Sequence, residues 1–363
     1  MVSNQILKET LNKIREASGI DFTLYRQDAT VITADYIRKS DELKTILPHM
    51  TEDAGVQEYQ DRLFFNVFDS GNVEYVLSCP RRPSAELAGK LAVIQFEQLI
   101  ETHQERQDKD NFIKNLLMDN LLPVDIYNRA KKLNINPRRP RVAFLIETRS
   151  RDNEGVLETI RSMFAENEND FAASIDESNI VLVKELRSAE DDQELKLIAG
   201  TIADMMNTEV MTQVRVAYGN VASEIRKVSN SYKEAKLAMS VGKIFNSEQN
   251  IISYASLGIG RLIYQLPLPM CKMFIEEIFK DKSPETFDEE TLTTINQFFE
   301  NSLNVSETSR QLYIHRNTLV YRLDKIQKNT GLDLRVFDDA ITFKIALMVV
   351  QYMRYMEKIG RVD

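Results

Sequence analysis

Apolar positions along the 363-residue chain change period several times, and each change marks an element. Near the C-terminus Leu319, Leu323 and Ile326 recur at i, i+4 and i+7, the spacing of one buried helix face. A shorter helix precedes it. Ser306 is its expected N-cap, because a serine hydroxyl accepts an orphan backbone N–H of the first turn. Ser309 is small enough to let another helix cross closely, and Leu312 points inward. Tyr313, Ile314 and His315 form the turn, with Ile314 as its apolar anchor. Leu292, Ile295, Phe298 and Phe299 stripe a helix before this pair, and Ile341, Ile345, Met348 and Tyr352 stripe one after it. Gly331 is a helix stop. The pattern predicts a compact all-α domain over 289–363 built around a helix-turn-helix.

At the other end, Ile6, Leu7, Leu11 and Ile14 predict one face of a helix over 3–18. A strand from Phe22 to Arg26, a turn at Gln27-Asp28 and a strand from Val31 to Thr33 follow, then a helix to Leu47 that stops at Pro48. Arg62 to Phe68 and Val73 to Cys79 form a hairpin through the turn Asp69-Ser70-Gly71-Asn72. A long helix begins near Ser84. That order is the order of a small α/β sensor of the PAS/GAF kind, expected over 1–105. The long helix has an apolar stripe of Leu87, Leu91 and Ile94 continued by Gln98, then a charged half with Glu101, Glu105, Arg106, Asp108 and Lys109. It is either a solvated helix leaving the domain or a helix that pairs with its twin in a dimer. Two short helices are expected in the linker 106–138, which the prolines Pro137 and Pro140 close.

From Arg141 the period shifts to a β-α-β-β-α-β order, which is ferredoxin-like. Its strands are Val142–Glu147, Phe171–Ile175, Ile180–Lys184 and Val214–Tyr218, and its helices are 154–167 and 189–208. This middle domain is expected over 139–250. A linker over 251–288, with Pro267, Pro269 and Pro284, leads to the C-terminal domain. The fold class is therefore α+β and multidomain.

Composition bounds the function. With 43% hydrophobic and 28% charged residues, the chain can bury ordinary globular cores. No basic-then-apolar leader and no run of membrane-spanning length is visible, so the cytoplasm is the expected location and no membrane partner is expected. Cys79 and Cys271 form no CxxC and read as buried thiols. His49, His103 and His315 share no metal-ligand spacing, and no phosphate-binding G-x-x-x-x-G-K-[ST] or nucleophile elbow occurs. Neither metal nor cofactor is expected.

Charge changes the picture at one place. The net charge is −9, yet 310–328 carries five basic residues and one acid, Asp324. Arg316, Asn317, Tyr321, Arg322, Lys325 and Lys328 fall outside the apolar face of the second helix. A basic, hydrogen-bonding second helix suits a DNA major groove. An αα-hairpin with a solvated basic face fits the same pattern.

His315-Arg316-Asn317-Thr318-Leu319, Tyr321-Arg322-Leu323 and Thr330-Gly331-Leu332 resemble the C-terminal helix-turn-helix of the sugar-diacid-regulator and purine-catabolism-regulator family of bacterial transcription factors. The core words are also similar to the Fis-type helix-turn-helix. The resemblance implies that Arg316 and its neighbours His315, Asn317, Thr318, Tyr321, Arg322 and Lys325 touch DNA. Residues up to about 105 resemble the family's diacid-recognition domain less tightly. The words VAYGN, SYKEAKLAMSVGK and ISYASLGIGRLI match the end of the family's GGDEF-like domain. A working diguanylate cyclase needs hairpin glycines for close approach of the nucleotide and acids for Mg²⁺. Here the hairpin reads Ala173-Ser174-Ile175-Asp176-Glu177-Ser178. Asp176 and Glu177, with Glu147, could hold a metal, but acids at a turn are ordinarily turn chemistry. The domain is expected to be catalytically dead.

The expected protein is thus a DNA-binding regulator of a catabolic operon, with activation the expected sign, and not an enzyme. It would bind an operator duplex, respond to a small carboxylate such as a sugar diacid or hydroxy-acid, and act as a homodimer or higher homo-oligomer. Arg62, Arg81 and Arg82 are the candidate carboxylate ligands, since such a ligand needs cations and N–H donors. Self-association is expected among 85–109 and the middle domain. The alternative is a purine- or nucleotide-responsive regulator, or a nucleotide-processing enzyme using the middle domain.

Overall fold

The computed structural model describes residues 2–28, 30–32, 55–59, 61–148, 153–165, 167, 169–187, 192–279 and 287–360. They divide into two compact units, Met1–Ile113 and Lys114–Asp363.

The first unit opens with α1 (Asn4–Ser18), capped by the Ser3 hydroxyl and ended by Gly19 in the left-handed region. Strands β1 (Thr23–Arg26), β2 (Gln57–Tyr59), β3 (Arg62–Asp69) and β4 (Asn72–Pro80) form one antiparallel sheet in the order β1-β4-β3-β2. Helix α2 (Ala85–Leu117) follows. Strand alternation sorts β3: Leu63, Phe65 and Val67 join the core with Leu7, Leu11 and Ile14 of α1 and Ala92, Phe96 and Ile100 of α2. Phe64 turns to the other face, with Tyr25 and Val76. Ile6 is 40% exposed, so the face of α1 is narrower than the sequence pattern suggests. Val31 makes a single bridge to Tyr25. Thr33 and the helix expected up to Leu47 lie outside the described residues. Helix α2 runs unbroken to Leu117, so the first of the two short helices expected in 106–138 is its continuation and not a separate helix; the chain turns only at Asp119, with φ of 56°.

The second unit contains α3 (Pro123–Lys132) and strands β5 (Arg141–Thr148), β6 (Phe171–Ser174), β7 (Asn179–Glu185), β8 (Val214–Tyr218) and β9 (Ile251–Ser253). Helices α4 (Asn153–Met163) and α5 (Asp192–Glu209) make the two crossovers, giving the expected β-α-β-β-α-β order. The sheet order is β6-β7-β5-β8-β9, antiparallel except for β9 beside β8. Val142, Phe144 and Ile146 of β5 pack with Val156 and Ile160 of α4 and Ala199 and Ile202 of α5. Helix α6 (Val228–Phe245) covers the opposite face, and the Ser231 hydroxyl there accepts a hydrogen bond from the Ala143 N–H at 3.0 Å. Gly219 permits that approach, since a Cβ would lie 2.0 Å from the Ser231 carbonyl oxygen.

The segment 251–288 is not a bare linker. Ile251 and Ile252 pair with Val216 and Ala217 as the fifth strand. Short α7 (Gly260–Ile263) and then α8 (Leu268–Phe279) follow. Helix α8 contributes Cys271 and Phe279 to the C-terminal cores, and Pro267 and Pro269 lie at its start rather than loosening the chain. Helices α9 (Glu289–Glu300), α10 (Val305–Gln311), α11 (Arg316–Thr330) and α12 (Phe337–Lys358) complete the unit. The face of α12 differs from the expected stripe. Ala340, Phe343, Ala346, Val349, Tyr352 and Met356 are buried, and Ile341 is 41% exposed. Between Ala340 and Val350 only Thr342 and Lys344 are polar, so spacing alone could not choose the inner side there. The rings of Phe279 and Phe287 choose it by meeting Phe343 at 5.9 and 6.1 Å between centroids. Both cysteines are buried, and burial pushes each thiol up from its ordinary range. No helix among the described residues is long and apolar enough to cross a membrane.

Candidate DNA interface

The helix pair α10 and α11 is built by its caps. Asn304, not Ser306, caps α10: its side chain accepts from the N–H groups of Ser306 and Glu307 at 3.0 and 3.1 Å. Ser306 lies inside the first turn, and Asn304 with Glu307 three residues on is itself a capping-box signature. At the other end of α10 the N–H of Ile314 donates to the Ser309 carbonyl and that of Tyr313 to the Arg310 carbonyl. Those two bonds are a Schellman motif, which needs a left-handed residue just past the cap. Tyr313 supplies it with φ of 56°, so the turn closes without a glycine. Its ring stands 96% exposed. Nothing in the sequence pattern singles out Tyr313 for that exposure. His315 then caps α11, its Nδ1 accepting from the Asn317 N–H at 3.2 Å.

Leu319, Leu323 and Ile326 are fully buried against Ile295, Phe298 and Phe343, as the spacing predicts. This leaves Arg316, Asn317, Thr318, Tyr321 and Lys325 of α11 exposed, with its cap His315. Gly331 ends the helix in the left-handed region, its N–H donating to the Gln327 carbonyl at 2.7 Å.

Arg322 departs from this arrangement. Its guanidinium donates to the Thr294 hydroxyl at 3.0 Å and pairs with the Glu290 carboxylate, and its side chain is only 19% exposed. It ties α11 to α9 instead of standing free. Asp324, the acid that would oppose a phosphate, pairs with Arg335 at 2.9 Å. Arg335 also pairs with Asp333, whose carboxyl it holds below the ordinary range. Arg310 is occupied by Glu307. Among the described residues Arg316, Lys325 and Lys328 enter no ion pair, so three cations remain available to an anion.

The candidate carboxylate ligands gather at one end of the β3–β4 hairpin but do not converge. Arg62 is half-buried and donates to the Ser78 hydroxyl at 2.7 Å. Arg81 is exposed and pairs with Glu58. Arg82 is exposed.

In the middle domain the acids are engaged locally. Asp176 accepts from the N–H groups of Ser178 and Asn179, each at 2.9 Å, and from the Asn179 amide, which is an Asx turn. Glu147 pairs with Lys243. No group of three or more potential metal ligands occurs among the described residues.

Residues 291–349 match the family described as the PucR C-terminal helix-turn-helix domain, and residues 119–241 match the GGDEF-like domain. The chain is similar to the carbohydrate diacid regulator of Escherichia coli (strain K12), 26% identical over 292 residues, covering 74% of this chain and 73% of that protein. The purine catabolism regulatory protein of Bacillus subtilis (strain 168) is 26% identical over 149 residues, covering 40% of this chain and 28% of that protein. The proline-responsive transcriptional activator PutR of the same organism is 28% identical over 184 residues, covering 48% of this chain and 44% of that protein.

Proposed function

This chain belongs with the carbohydrate-diacid and purine-catabolism regulators, and on that premise we propose that it is a DNA-binding transcriptional regulator of catabolic genes. The exposed face of α11 carries this conclusion. His315, Arg316, Asn317, Thr318, Tyr321 and Lys325 project from a helix whose opposite side is fully buried, as major-groove reading requires. Phosphates would meet Lys325 and Lys328, and base edges would meet the residues at the helix start. Arg322 orients α11 through Thr294 and Glu290 rather than reaching the duplex.

The regulator responds to a carboxylate-bearing metabolite at its N-terminal PAS/GAF-like unit, with activation as the expected sign. Of the three candidate arginines, Arg62 and Arg81 are the cations we assign to that ligand, Arg62 being the half-buried one. The GGDEF-like domain is catalytically silent, since Asp176 of its hairpin completes a turn and no glycine stands between Ala173 and Ser178. The working unit is a homodimer, because one helix-turn-helix meets one half-site and two half-sites give ordinary operator affinity.

Selection of duplexes from a random-sequence pool with the full chain tests the reading. An enriched sequence bound far more tightly than the starting pool supports it. Equal affinity for every duplex, unchanged by Arg316→Ala, overturns it.

A further inference from the structure

The first half of α2 is apolar on two sides. Against the sheet it places Ala85, Gly89, Ala92 and Phe96, all buried. Gly89 lies so close to Phe65 that a Cβ would sit 2.1 Å from the ring. The side facing away carries Leu87, Leu91 and Ile94, which are 64%, 59% and 52% exposed. A surface helix ordinarily turns its large apolar side chains inward. Here Phe96 and Ile100 do face the core, with Ala85, Gly89 and Ala92, yet Leu87, Leu91 and Ile94 face solvent on the opposite side. The spacing of four and three residues makes one stripe, which continues through Gln98 to the acids Glu101 and Glu105. Exposed apolar residues scattered singly need no explanation, but a contiguous stripe marks a partner.

We propose that a second copy of this chain docks on this stripe, with the two α2 helices antiparallel. This surface rests on the dimeric regulator proposed above and specifies how it pairs. Charge selects the orientation. A parallel, in-register pair would set Glu101 against the partner's Glu101 and Glu105 against the partner's Glu105, at seam positions where like charges repel. An antiparallel pair layers Leu91 on the partner's Ile94 and Leu87 on the partner's Gln98. It then carries Glu101 and Glu105 past the start of the other helix. There they meet Arg82, which is exposed and in no ion pair among the described residues, and the positive end of the helix dipole. Two-fold symmetry makes each of these contacts twice.

Sedimentation of the full chain without DNA tests the proposal. Leu91→Glu and Ile94→Glu should each weaken the dimer by about tenfold or more, since a buried large apolar contact is lost from both copies. Both positions are exposed in one copy, so thermal melting of dilute protein should not move. Arg82→Glu should weaken the dimer, and adding Glu101→Arg should restore it. For orientation, oxidation of mixed Leu91→Cys and Ile94→Cys chains should give a hetero-disulfide in excess over either self-disulfide. A monomeric wild-type chain, or a Leu91→Glu dimer as tight as wild type, overturns the docking surface. A dominant Leu91→Cys self-disulfide overturns the antiparallel arrangement. Because the readout uses no DNA, its failure leaves the DNA-binding test standing, and the reverse also holds.

Discussion

The guanidinium of Arg322 donates a hydrogen bond to the hydroxyl of Thr294 at 3.0 Å, and Thr294 is fully buried. That hydroxyl in turn donates to the Glu290 carbonyl, and the Glu290 carboxylate pairs with Arg322. The second helix of the helix-turn-helix is thereby fixed to α9 by a polar clamp at the rim of its apolar core.

Arg322→Ala should lower stability by on the order of 1 kcal/mol, because the side chain is partly solvated and such pairs are modest. Affinity for selected and random duplexes should fall together, through a looser α11. Thermal melting and binding titrations measured together check this. A loss confined to one base position would make Arg322 a reader of sequence instead.

Arg316 and Lys325 should behave differently from Arg322 and from each other. Arg316→Ala should cost ~1–3 kcal/mol of discrimination between the selected and random duplexes, if it holds a guanine edge. Lys325→Ala should weaken binding to both and reduce the salt slope by about one counterion. Titrations over a salt series separate the two roles. An unchanged slope removes Lys325 from the interface.

Leu319→Ala and Leu323→Ala should each destabilise the C-terminal domain by ~2–5 kcal/mol, as both side chains are fully buried. DNA binding should fall with folding. Denaturant unfolding of each variant gives the measurement, and wild-type midpoints would contradict the packing.

Tyr313 adopts a conformation that glycine adopts more easily, while its ring touches little of its own chain. Tyr313→Gly should therefore leave melting unchanged or slightly raised. If the ring meets the duplex, the same variant should lose affinity about tenfold, a loss that a purely structural turn residue would not show. Tyr313→Phe then tells whether the hydroxyl contributes.

Asp176 is subject to opposing effects. Its partial burial would raise the carboxyl, but hydrogen bonds from Ser178 and Asn179 outweigh this and hold it below the ordinary range. A lowered folded-state pKa stabilises above the unfolded value, and that contribution disappears as pH falls through the folded value. Asp176→Ala should thus destabilise at neutral pH and have little effect in strong acid. It should not alter operator binding, and the wild-type chain given GTP and Mg²⁺ should form no cyclic dinucleotide. Product formation that Asp176→Ala abolishes would make the middle domain an enzyme.

Local pattern determined much of this protein. Leu319, Leu323 and Ile326 are the apolar residues in α11 that share one helical face around a polar remainder, so only one inner side was available to it. The β3–β4 hairpin and the β-α-β-β-α-β order were equally legible, because strand and helix periods alternate cleanly there. Cap chemistry was half legible. Asn304 and Glu307 carry a signature in the sequence, whereas a left-handed tyrosine at 313 has none. Three-dimensional packing decided the rest. The middle of helix α12 is apolar on several sides, and packing selects its inner face: Phe279 and Phe287 meet Phe343, while Val349, Tyr352 and Met356 pack with Ile244, Ile263 and Cys271. The prolines of 251–288 suggested a loose connection, but an open edge at β8 captured Ile251 and Ile252, and α8 completed the C-terminal core. Arg322 belongs to the same basic run as Arg316 and Lys325, and in sequence the three are alike. They differ because Arg322 alone lies within reach of a buried hydroxyl and an acid on another helix, and long-range neighbours of that kind leave no trace in local spacing.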